Sequence, residues 1–404
     1  MKVIVPFSYY YPEQCAGISI IDDVMRACAK DGIETLLHVP TPTRNVPKDA
    51  NWEKNEKQEG GLIHIHRFAM YGEGKNPVLR ALRYVFTEFA YLHAMLWKDY
   101  DVIFLDSTPP IQGLKLLIVK LFKKKPVVHN AQDIFPDSLV GAGLAKRGGV
   151  LWKIGCLVSN ITYRYSDKII VISEDFKQTL ISKGVPEEKI VVIYNWVDEN
   201  AVVPVAKADN PLYEEFGISR NKFHVVYAGN LGNAQNIDVI IDTAARLRSR
   251  EDIEFVIFGS GGNEAEVKNR ISKEGLQNVK MFPLQPADRV SFVYSLGDFC
   301  IVSCKAGFGG SAMPSKTWSI LSTGRPVLAN FDEGELKQLL EVNNCGIFTK
   351  AGDAEGMANA IIDACEHKER CDEMGRNGRE FVLKNLTKEV GTQKYVDVIK
   401  SVVK

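Results

Sequence analysis

Short apolar runs alternate along the whole chain with longer segments of helical period, the signature of parallel α/β layers in which strands are covered on both faces. Lys2-Val-Ile-Val5 opens this pattern as a buried strand, followed by a loop from Pro6 to Gly17, a helix from about Ile18 to Asp31 and a strand in Gly32–Val39. Pro40 to Gly60 is polar and without period, and is expected to form a long loop. The alternation resumes with Leu62-Ile-His-Ile-His-Arg67, a helix over 76–100, the strand Asp101–Leu105, a helix over Leu114–Lys125 and the strand Pro126–His129. A helical segment within Leu144–Lys168, the strand Ile169–Ile172, a helix capped by Ser173 and the strand Lys189–Asp198 complete the first half.

The same rhythm restarts at His224–Gly232 and continues through Glu254–Gly262, Phe299–Ser303, Val327–Ala329 and Gly346–Phe348, after which the chain reads as helix to its end. Single cores stop growing near about 250–300 residues, so 404 residues in two such series imply two domains. Boundaries are expected at 1–200, a linker at 201–211, a second domain at 212–387, and a last helix at 388–404.

Charge and cysteines narrow the function. Fifty basic and fifty acidic residues cancel, which argues against a nucleic-acid binder working through its overall field. The eight cysteines lack paired zinc spacing, and read as reduced core residues of a cytoplasmic protein. His64 and His66 share one strand face, but no third ligand follows at a useful interval, so no metal site is expected. No segment approaches the ~20 apolar residues of a membrane span. Basic-aromatic stretches around 80–97, Lys123–Lys125 and Lys146–Lys153 nevertheless suggest peripheral contact of the N-terminal half with an anionic membrane or a lipid-diphosphate acceptor.

Two loops carry the candidate chemistry. After the strand Phe299–Ser303, the loop Gly307-Phe-Gly-Gly310 leads to Pro314-Ser-Lys-Thr317, with Pro314 expected at the first helical position and Gly324 at the helix end. Free N–H groups near Ser315, Lys316 and Thr317, together with the Lys316 charge, would hold a diphosphate. In the first half the strand ending at His129 runs into Asn130-Ala-Gln-Asp-Ile-Phe-Pro-Asp-Ser138, an imidazole, amides and two carboxylates at one strand end. The first loop, Glu13 to Gly17, lies beyond the carboxyl end of its strand, where ligands bind in such sheets, although its spacing is not GxGxxG.

Pro314-Ser-Lys316 with Gly324-Arg-Pro-Val327 resembles the donor-binding segment of family four glycosyltransferases, and Asp133-Ile-Phe-Pro-Asp-Ser138 resembles a segment of its surface-polysaccharide members, notably N-acetylfucosamine or fucosamine transferases. Asn195-Trp-Val-Asp198 is similar to the family's hinge approach. The resemblance implies the GT-B arrangement, two Rossmann-like domains facing a central cleft, with the last helix packing back on the first domain. It implies retaining transfer from a UDP-linked N-acetylated or 6-deoxyamino sugar to a lipid-diphosphate saccharide, in O-antigen or capsule biosynthesis; no Asp-x-Asp motif ends a strand, so no metal or other cofactor is expected.

His129, Asp133 and Lys316 are the implied catalytic residues. Gly17, Gly229, Asn230, Gly232, Gly259, Phe282, Leu284, Gly309, Gly310, Ser311, Pro314, Ser315, Lys316 and Ser319 would meet the donor, and Glu13, Gln14, Gln132 and Asp137 the acceptor. The family's two glutamates fall near Ser311 and Ser319, neither acidic, and its basic pair appears as Asn230 and Gln235. A nucleotide-sugar epimerase of the same fold, or a non-catalytic partner in a polysaccharide assembly complex, are the rival readings.

Overall fold

The computed structural model describes residues 1–13, 17–43, 46–47, 49–72, 77–107, 111–137, 140, 145–309 and 313–403, the side chains of 77, 78, 80 and 81 excepted. It divides into two compact units, 1–194 with 389–404, and 195–388.

Unit 1 is built on strands β1 (Lys2–Pro6), β2 (Glu34–Pro40), β3 (Asn55–Gln58), β4 (Ile63–Phe68), β5 (Val102–Asp106), β6 (Val127–Ala131), β7 (Lys168–Val171) and β8 (Ile190–Val192). They form one sheet in the order β3-β4-β2-β1-β5-β6-β7-β8. All neighbours are parallel except β3 against β4. β5 and β6 are buried along their whole length, as strands covered by helices on both faces must be. The order reverses between β1 and β5, the switch point beyond which ligands of such sheets bind. The segment expected as a continuous loop over 40–60 contains β3, whose sequence Asn-Glu-Lys-Gln carries no apolar signal. As an edge strand it needs none, and its charge discourages further pairing.

The C-terminal helix Lys388–Ser401 packs on this sheet through Tyr395, whose fully buried ring lies 6.1 Å from that of Phe104. The Tyr395 hydroxyl donates to Asn130 Oδ1 at 2.9 Å, and the Asn130 amide donates to Asp106 Oδ1 at 3.1 Å. A single polar network thus joins the ends of β5 and β6 to the last helix.

Unit 2 carries β9 (Phe223–Asn230), β10 (Ile253–Ser260), β11 (Val279–Phe282), β12 (Phe299–Ser303), β13 (Val327–Phe331) and β14 (Gly346–Lys350). The sheet is parallel, ordered β11-β10-β9-β12-β13-β14, and its switch point lies between β9 and β12. Helices Ile237–Arg246 and Ala354–Glu366 cover one face with Ile240, Ile241, Met357 and Ile361, all essentially inaccessible. The stretch expected as a linker is anchored within this unit, since Val203 and Val205 donate backbone N–H groups to the hydroxyls of Ser291 and Ser295.

Candidate active site

At the switch point of unit 2, Lys316 opens a short helix, Lys316–Ser322, directly after the loop that follows β12. Its half-buried ammonium lies 3.3 Å from Tyr227 Oη and 4.4 Å from the centre of that ring. Tyr227 donates its own proton to the Asn230 carbonyl at 2.7 Å, leaving the phenol oxygen to accept from the ammonium. Burial pushes the Lys316 pKa down to about 8. No carboxylate pairs with it among the described residues, so this cation is held where it can meet an anion.

Gly229, at φ +145°, lets the ammonium lie against the strand end; a β-carbon there would stand 2.9 Å from Lys316 Nζ. Beside Gly229, a mainly apolar recess of about 100 Å³ is lined by Ala228, Phe258, Leu284, Gln285 and Tyr294. Phe282 stands behind it, packed on Phe216 at 4.5 Å and on Phe258 at 5.5 Å. Asn230 reaches Gln235 at 3.3 Å, and these two amides crowd the position a β-carbon of Gly232 would take.

Several expected donor contacts are differently employed. The helix begins at Lys316 rather than at Pro314, and the Thr317 N–H, expected free, donates to the Pro314 carbonyl at 2.9 Å. Ser315 is exposed and its carbonyl accepts from Trp318, while Ser319 is half-buried. The N–H groups of Gly307 and Gly309 both donate to Asp332 Oδ2 at 2.8 Å, so a carboxylate of the chain occupies that part of the loop. Gly309 is needed for packing, since a β-carbon would stand 2.8 Å from Asp332 Cβ; Gly259 likewise leaves room for Leu231, not for a ligand. Gly310, Ser311 and Gln14 lie outside the described residues. Gly324 ends the helix at φ +68°, the left-handed conformation expected of it.

In unit 1, His129 and Asp133 line one small recess with Ser107, Gln112, Phe135 and Tyr163. His129 is buried on β6 and its Nδ1 has no partner among the described residues. Burial pushes its pKa down to about 4, and the Lys115 ammonium acts in the same direction. The imidazole is therefore neutral at physiological pH, able to orient a hydroxyl but a poor base. Gln132 is tied to Asn130 Oδ1 at 2.9 Å.

Asp137 lies in a neighbouring pocket of about 460 Å³ lined by Phe135, Trp152, Tyr163 and Lys183. Burial would raise its pKa, but Lys183 at 2.6 Å, with Trp152 and Arg147, holds it below the usual carboxylate range. Glu13 is buried, and its oxygens accept the backbone N–H groups of Tyr10 and Thr43. That spends the carboxylate on loop structure rather than on an acceptor. Gly17, at φ +91°, has open space where a side chain would project.

Sequence reasoning missed Tyr227, Asp332 and the Asp106–Asn130–Tyr395 network. Nothing in residue spacing signals them, because each depends on which strand ends lie side by side. Among the described residues no cluster of three or more metal-ligating side chains occurs.

Both halves match known families: Glycosyltransferase Family 4 over residues 19–201 and Glycosyl transferases group 1 over 211–381. The chain belongs to the glycosyltransferases of GT-B fold. It is 28% identical over 357 residues, 84% of this chain and 86% of the relative, to WcaI of Escherichia coli (strain K12), named as a colanic acid biosynthesis glycosyl transferase. It is 23% identical to WbjE of Pseudomonas aeruginosa, named as a glycosyltransferase, over 74% of each chain. Among solved structures, Anabaena Alr3699/HepE in complex with UDP superimposes with a TM-score of 0.75 at 18% identity, over 99% of this chain and 100% of that one.

Proposed function

We propose that this chain is a retaining glycosyltransferase that moves a UDP-linked N-acetylated or 6-deoxyamino sugar onto a lipid-diphosphate-linked saccharide in O-antigen or capsule synthesis, at the inner face of the cytoplasmic membrane. The observation that carries this reading is the unpaired Lys316 ammonium beside Gly229 and the apolar recess around Leu284. A diphosphate suits the cation, and a flat base suits the recess. The relatives support the donor and the setting: HepE has been solved with UDP-glucose, and WcaI is named for colanic acid biosynthesis.

In this reaction the bond from the sugar's anomeric carbon to the phosphate oxygen breaks. The acceptor hydroxyl bonds to that carbon on the same face, and its proton passes to the departing phosphate oxygen. Lys316 stabilises the leaving diphosphate without a metal, and neutral His129 orients the sugar. Asp133, in the same recess as His129, contacts the sugar or the acceptor.

The test is incubation of the protein with UDP-sugars and lipid-diphosphate saccharides, with and without EDTA, followed by NMR of the product. A new linkage with the donor's anomeric configuration, formed in EDTA, is the expected outcome. Inverted product, or an absolute metal requirement, contradicts the mechanism. Epimerised donor without transfer favours the epimerase reading, and inertness toward every UDP-sugar favours the assembly-partner reading.

A further inference from the structure

Three neighbouring helices of unit 1 are apolar on both sides: they bury Tyr91, Met95, Leu116, Val119 and Val158 in the core and carry a second apolar stripe outward. In Gly113–Phe122, Leu114, Leu117, Ile118, Leu121 and Phe122 repeat at helical spacing and are all exposed, the last two at 70%. The opposite side of this helix buries Lys115. In Pro77–Trp97, Leu82, Phe86, Phe89 and Trp97 form the exposed stripe while Arg83 and Thr87 are buried. In Val150–Tyr165, Val150, Leu151, Ile154 and Leu157 face outward while Ser159 and Thr162 are buried.

The middle helix packs against both others, so the stripes adjoin. Gly113 permits close approach to the backbone at Val158, and Lys115 bonds Glu88 at 2.9 Å inside the layer. Unit 2, by contrast, exposes among its described residues only Leu284, Val342 and Leu383 as large apolar side chains. A contiguous apolar face of this extent marks an interaction surface.

The charges around the face decide what covers it. Glu88, turned inward to Lys115, is the only acidic residue in the three helices. Lys123, Lys124, Lys146 and Lys153 lie at or between the helix ends, exposed or half-buried, and form no ion pair among the described residues. A second copy of the chain would bring the same unpaired cations together without carboxylates to meet them. Anionic headgroups supply the missing charge, and the acyl boundary takes the apolar side chains.

We propose that this three-helix face seats unit 1 on an anionic phospholipid bilayer, with Phe86, Phe89, Leu121 and Phe122 in the acyl boundary and the four lysines among the headgroups. The surface deepens the proposed function by placing the enzyme where a lipid-linked acceptor resides, but it is readable independently of donor binding.

The test is sedimentation of the full chain with vesicles of phosphatidylcholine alone or with one-third phosphatidylglycerol, at near-physiological salt, alongside UDP affinity. Binding to the anionic vesicles should exceed binding to the neutral ones. Leu121→Gln with Phe122→Gln should weaken it at least about ten-fold, and Lys123→Gln with Lys124→Gln by roughly five-fold per lysine. Both variants should keep wild-type UDP affinity, which shows that they fold and separates this surface from the donor site. No binding to anionic vesicles, equal binding to neutral ones, or unchanged binding by the Leu121/Phe122 variant overturns the proposal. So does a dimer in light scattering that the Leu121/Phe122 variant dissociates, since a second copy would then cover the face.

Discussion

The two units share one construction rule and spend their polar residues differently. In unit 2 the helices turn apolar sides inward, and the exceptional residue is a cation, Lys316, held partly out of water at the sheet's switch point. In unit 1 three helices carry an apolar stripe outward as well as the one they bury, and the exceptional cation, Lys115, is buried beneath them with Glu88. A lysine with a carboxylate partner inside the protein is structural, while a lysine without one, its ammonium set beside the end of a strand, is available to a ligand. The context of the ammonium, rather than its residue type, separates scaffold from site.

The sharpest way to break this contrast is to remove Lys115. Lys115→Ala leaves the Glu88 carboxylate without its cation and should cost about 3–5 kcal/mol, whereas the pair replaced together by Met and Leu should come out near neutral. Urea unfolding of the single and double variants checks both expectations. In unit 2, Lys316→Ala loses one charge-assisted contact, about 1.5–3 kcal/mol, and should weaken UDP roughly 10- to 100-fold in calorimetry while leaving the unfolding midpoint nearly unchanged.

Protonation gives a smaller effect of opposite sign in binding and in stability. With its pKa lowered from 10.5 to about 8, Lys316 is charged less readily in the folded chain than in the unfolded one. Its contribution to folding therefore improves as pH rises from about 8 to 10.5, while the ammonium that meets the diphosphate disappears. UDP affinity should fall roughly ten-fold between pH 7 and 9, measured at constant ionic strength. His129, lowered from 6.5 to about 4, should cost stability as pH falls through that window and should impose no titration on activity near neutrality. The smallest effect is expected from Tyr227→Phe. It keeps the ring beneath the ammonium and removes one hydroxyl, for less than about 1 kcal/mol and a few-fold change in UDP affinity.

The fold class was legible because its strands are continuous apolar runs: Phe299–Ser303 and Val327–Phe331 are buried throughout and announce themselves without tertiary information. Asn55–Gln58 was not legible, since an edge strand is held by backbone bonds to β4 and can be wholly polar. The outward helices were half legible. Aromatic and basic residues at helical spacing suggest an interface, but only the buried Arg83, Thr87 and Lys115 reveal which side faces the sheet.

At the candidate site, the sequence shows a glycine-rich loop and a lysine but not the carboxylate that fills the loop. Asp332 lies just past the end of β13 and reaches Gly307 and Gly309 only because β12 and β13 are neighbours. Likewise Glu13 looks like an acceptor contact until the backbone N–H of Thr43 is found on it. Long-range pairing decides these residues, and one-dimensional spacing does not encode it.

The most direct measurement is a calorimetric titration of UDP, GDP and ADP into the wild-type chain and the Lys316→Ala variant, without metal. Selective UDP binding that weakens 10- to 100-fold in the variant is the expected result. Equal affinity of the two proteins would remove Lys316 from the diphosphate site and contradict the central reading of unit 2.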